Sequence, residues 1–158
     1  MVIIHLAKMS LLEKSCDYFQ NALIPQAVHD EMLIGKEKGY ADAALIEDLV
    51  RARKLVVKPV KDHRLLRRTR ELNIQRGEAE ALALCWQEHA TYLASDDDAV
   101  RKKRLLLGVR LIGTLAIVLQ LYRARVIHRP KLRDSVTELR KLGWFSSAVI
   151  DHMLMEAE

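Results

Sequence analysis

Aromatic side chains are scarce in this 158-residue chain, with two Trp, four Tyr and two Phe. Its interior must therefore be aliphatic, and with half of its residues apolar it can bury one sizeable core. Cysteine is scarcer still. Cys16 and Cys85 sit in separate apolar, helix-like segments and form no CxxC, which argues against a disulfide framework and fits a reducing compartment. Six scattered histidines make no HExxH or HxH pair, so zinc chemistry is not expected. No apolar run reaches the length of a membrane span and no signal-peptide pattern opens the chain, so a cytoplasmic protein with no membrane partner is expected.

Acid is missing from one long stretch. Residues 101–133 hold ten Lys and Arg and no Asp or Glu, whereas residues 1–100 hold 14 basic and 16 acidic side chains. The net charge of +5 hides this imbalance. A cationic block suits a polyanion, because each phosphate contact releases counterions. It equally suits a solvated rim whose long side chains lie along apolar surface. Charge alone leaves both readings open.

Strand-like and helix-like segments alternate, without a low-complexity linker or a repeat. Short strands are predicted at residues 22–24, 55–60, 91–94 and 109–112. Between them fall helices at residues 26–33, 38–53, 61–72 and 98–107, and at the nearly all-apolar EAEALALCWQEHA that follows Gly77. Further helices begin at Leu6 and Thr114, and two more end the chain. This alternation predicts an α/β fold, a three-layer α/β/α sandwich around a central parallel sheet, formed by residues 1–158 as one domain. Ligands of such sheets collect beyond the carboxyl ends of the strands.

Acidic residues fall near those ends. Asp96, Asp97 and Asp98 follow the strand at residues 91–94, in the stretch YLASDDDAVRKKRLLLG. An aspartate there is a preferred helix cap, and a first-turn carboxylate favours the helix dipole. One cap needs one carboxylate, however, and a divalent cation such as magnesium or manganese would offset the repulsion among three. Glu78 and Glu80 open the apolar helix, where a buried carboxylate needs a partner. Glu31, within AVHDEML, follows the first short strand. GVRLIGT has the glycine spacing of a phosphate loop but lacks its lysine, so Gly113 and Thr114 are read as a turn and cap. His63, in KDHRLLRRTR, is read as part of a solvated basic helix face.

Taken together, VIIHLAKMSLLE, IPQAVHDE, GEAEALALC, DDDAVR and LGVRLIGTLAIVL resemble, in order and spacing, the motifs of a PIN-domain subfamily. The similarity covers nearly the whole chain and extends to small prokaryotic toxins similar to VapC. It implies a metal-dependent ribonuclease using Mg²⁺ or Mn²⁺. By the same resemblance Glu31, Glu78 or Glu80, Asp96 and Asp97 become catalytic acids, with Glu31, Glu78, Asp96 and Asp97 as the metal ligands. Arg101 matches the arginine of the family's DDxxxR, and with Lys102, Lys103 and Arg104 it becomes a candidate grip on RNA. Asp98 is left as the simple cap. Implied partners are RNA, an antitoxin-like protein and a second copy of the chain.

One departure accompanies the resemblance. The family's first acid lies about two residues before the position matched by Met1, so that aspartate and most of its strand are absent. A start upstream of Met1, a degenerate domain, or an oxygen from another residue would each account for it. Losing a central strand would leave its neighbours' backbone groups unpaired, so residues 2–4 are expected to be drawn partly into the sheet unless the start lies upstream. The alternative function is a catalytically impaired module that keeps the fold and binds RNA or a protein.

Overall fold

The computed structural model describes residues 1–142 and 145–156. Residues 2–4 are not in a sheet. The Met1 carbonyl accepts from the amides of Ile4 and His5, and Val2–Lys8 winds into helix α1. Val2, His5, Leu6 and Met9 bury one side of that turn. A helix satisfies its backbone locally, whereas a strand needs a paired neighbour, and this outweighs the β-branched character of Val2, Ile3 and Ile4.

After α2 (Leu12–Phe19), strand β1 (Ala22–Pro25) leads through α3 (Gln26–Glu37) and α4 (Ala41–Arg51) to β2 (Leu55–Lys58). The two strands pair in parallel, Ala22 opposite Leu55 and Pro25 opposite Lys58. Helices α5 (His63–Arg70) and α6 (Arg76–Gln87) precede β3 (Tyr92–Ala94). Next come α7 (Asp98–Lys102), α8 (Arg104–Leu107) and β4 (Arg110–Ile112), which pairs in parallel with β3. The helix expected over residues 98–107 thus breaks at Lys103, and Gly108, at a φ of +63°, ends α8 in the left-handed region that favours glycine. Helices α9 (Thr114–Arg123), α10 (Arg129–Leu142) and α11 (Ser147–Glu156) complete the described chain.

The fold is therefore α/β with parallel strands, as the alternation predicts. The central sheet is realised as two parallel pairs, and among the described residues no ladder joins them. A cleft of about 1000 Å³ is lined by both pairs, by Leu23 and Ile24 of β1 and by Tyr92, Leu93 and Ala94 of β3. Met1 and, from α1, Val2, Ile3 and Ile4 also line it.

Two apolar clusters hold the chain. The larger joins α1, α2, β1, α4, α9 and α10 through side chains such as Leu11, Ile46, Leu121 and Leu139. The smaller gathers Leu82, Cys85, Leu93, Val100 and Leu107 around α6, β3, α7 and α8. Four consecutive residues of α6, from Leu82 to Cys85, are buried, as its nearly uniform apolar sequence predicts.

Candidate functional site

Each acid takes its position from the element that carries it. Pro25 ends β1 in extended conformation and forces the chain into α3, which carries Glu31 exposed beside the cleft. Glu78 lies in the first turn of α6, half-buried, and lines the same cleft with Gln75, Arg76 and Gly77. Glu80, two residues on, turns to the Arg76 guanidinium at 3.3 Å.

Asp96 is placed differently. Its side chain is 2% exposed. One carboxylate oxygen accepts the Thr114 amide at 2.7 Å, and the other accepts the Thr114 hydroxyl at 2.5 Å and meets His5 Nδ1 at 2.9 Å. A carboxylate at the first turn of α9 is favoured by that helix's amide donors and dipole. Gly113 makes the approach feasible, because a Cβ there would stand 3.0 Å from the Asp96 oxygen. Burial pushes the Asp96 carboxyl upward, but the hydrogen bonds from His5 and Thr114 outweigh it and hold the group below its ordinary range.

Asp97 supplies the helix cap. It stands in extended conformation before α7, and its carboxylate accepts the Val100 amide at 2.9 Å. The expectation that Asp98 is the cap is thereby corrected. Asp98 is already the first helical residue, where its side chain no longer faces the free amides, and it instead accepts from Arg101 at 2.6 Å. Lys102 and Arg104 are exposed, while Lys103 reaches toward the Asn73 carbonyl at 3.5 Å.

Two of the four expected metal ligands, Glu31 and Glu78, thus share the cleft, and two, Asp96 and Asp97, are engaged in hydrogen bonds of the fold. Among the described residues no three His, Cys, Asp or Glu side chains converge closely enough to hold an ion. His5 and Thr114 are the site residues that sequence reasoning passed over. A signal existed: His5 stands three residues after Val2 on the apolar face of α1, where a buried polar ring requires a partner.

Parallel strand pairs with acids near their carboxyl ends define an α/β domain whose ligand region lies beyond the strands. The chain belongs to the PIN-domain family, whose model matches residues 1–158. Nuclease-type function, contact with nucleic acid and use of divalent ions go with that family. No curated protein and no solved structure matches the chain. No helix among the described residues is long and apolar enough to cross a membrane.

Proposed function

We propose that the chain is a PIN-type endoribonuclease that hydrolyses RNA phosphodiesters with Mg²⁺ or Mn²⁺, and that it acts in the cytoplasm as the toxin of a toxin–antitoxin pair. The observation that carries this reading is that Glu31 and Glu78 both line one cleft that also takes in the end of β1. Carboxylate oxygens are the donors such hard ions take, so Glu31 and Glu78 fit in kind and would hold the ion, and Asp96 and Asp97 would join them only by giving up their present hydrogen bonds. When bound, the ion would lower the pKa of a coordinated water and offset charge on the phosphate. Glu80, paired with Arg76, has a positioning role at the start of α6. Thr114 and His5 fix the Asp96 carboxylate and set its charge. Exposed apolar side chains, Leu105 at 88% and Leu106 at 70%, suit an antitoxin-like partner or a second copy.

The reading also takes in a first acid of the kind the resemblance implies. A strand ending in aspartate, joined before Met1, would meet edges of β1 and β3 that carry no other strand among the described residues. Cleavage of varied RNAs with Mn²⁺ tests the proposal on three forms: the chain itself, the chain extended by such a strand, and the extended form carrying Glu31→Gln and Glu78→Gln. The extended form should cleave, and the double variant should lose on the order of 100-fold or more of that rate. An extended form inert on every RNA sinks the ribonuclease reading.

A specific observation favours the second reading, a non-catalytic module that binds RNA. The three contacts on Asp96 leave its carboxylate satisfied without an ion. Calorimetric titration with Mn²⁺ separates the two: tight binding lost on Glu31→Gln with Glu78→Gln counts against the module.

A further inference from the structure

The basic helix α5 takes no part in the cleft, yet HRLLRRTR places four arginines on eight residues without one acid. Leu65 and Leu66 are half-buried and Thr69 is buried, while Arg64, Arg67, Arg68 and Arg70 are exposed. Two contacts bind this helix to the other basic stretch, α7 and α8. The Arg68 guanidinium lies 4.4 Å over the Trp86 ring, and the same indole donates its Nε1–H to the Leu107 carbonyl at 2.9 Å. Lys103 reaches the Asn73 carbonyl in the turn that follows α5. Basic segments far apart in sequence are thus brought close to one another through Trp86 and Lys103.

Few acids answer them: Asp62 is held by Arg64, Asp98 by Arg101, and Glu71 stands exposed at the end of α5. Arg67, Arg70, Lys102 and Arg104 have no acidic partner among the described residues. Clustered cations repel one another, and a polyanion relieves that repulsion while releasing counterions. The turn at residues 71–75 leads directly into the first turn of α6, where Glu78 lines the cleft.

We propose that α5, α7 and α8 together bind the phosphate backbone of RNA and lead it toward the Glu31–Glu78 cleft. The proposal rests on the ribonuclease reading and moves the grip away from residues 123–133, whose helices α9 and α10 pack in the other core. Its test is fluorescence anisotropy of a labelled oligouridine in EDTA, so that binding is read without cleavage, across a range of salt. Arg67→Gln with Arg70→Gln, and separately Lys102→Gln with Arg104→Gln, should each weaken binding about tenfold and flatten the salt slope by about 1.4, two single-strand phosphates' worth. Arg125→Gln with Lys131→Gln should leave both unchanged, and circular dichroism should show all variants folded. The proposal is overturned if either pair binds like the parent, if the control pair weakens binding equally, or if the parent binds no RNA. Cleavage by the extended form is scored separately. Cleavage with unaltered binding by the pairs removes this grip and keeps the nuclease, whereas weakened binding with no cleavage keeps the grip and removes the nuclease.

Discussion

Two pairs of acids carry the same chemistry in opposite conditions. Glu31 and Glu78 line the open cleft. Asp96 and Asp97 are wired into the fold, one binding α9 and His5, the other capping α7. Carboxylates matched to one family pattern therefore contribute unequally to folding, and stability measurements can separate the pairs before any activity is found. Asp96→Ala is the largest expected effect. It leaves the Thr114 amide without its acceptor and removes one partner of His5 in a buried site, costing about 3 kcal/mol by urea unfolding. Glu31→Gln and Glu78→Gln should shift stability by less than about 0.5 kcal/mol. Equal losses from both pairs would break the comparison.

The apolar surroundings of the cleft sharpen it further. Cys16 lines the cleft from α2, and burial pushes its thiol from an ordinary 9.0 up to about 11, with Asp17 and Glu13 adding to the rise against Lys54. The folded chain therefore favours the protonated thiol. That preference contributes fully below about pH 9 and is lost as pH climbs toward 11. The stability difference between the parent and Cys16→Ala should accordingly narrow over that range, and a pH-independent difference would show that the thiol is not buried as described. At pH 8 thiol reagents should modify Cys16 far more slowly than an exposed cysteine.

Periodicity and turn chemistry located nearly every strand and helix, because most of those choices are local: Pro25 ends β1, Gly108 ends α8, and α6 declares its burial by composition. Pairing was not legible in the same way. Residues 2–4 read as strand by side-chain type, but a strand exists only with a partner, and α1 satisfied the same backbone within itself. At the candidate site the acids could be named from motif order, yet nothing local could say that Asp96 faces Thr114, 18 residues on, or His5, 91 residues back. The join between α5 and α8 was hidden for the same reason, since Trp86 makes it through tertiary contacts.

The smallest effects lie within the aspartate triple, and they test the cap assignment directly. Asp97→Ala removes the acceptor of the Val100 amide and should cost about 1 kcal/mol, the ordinary loss of an N-cap. Asp98→Ala removes only an exposed pair with Arg101, both side chains more than 60% accessible, and should change stability by less than about 0.5 kcal/mol. Thermal or urea unfolding of the two variants side by side decides it. If Asp98→Ala proves the costlier change, the cap belongs to Asp98, and Asp97 joins Glu31 and Glu78 as an acid left available for an ion.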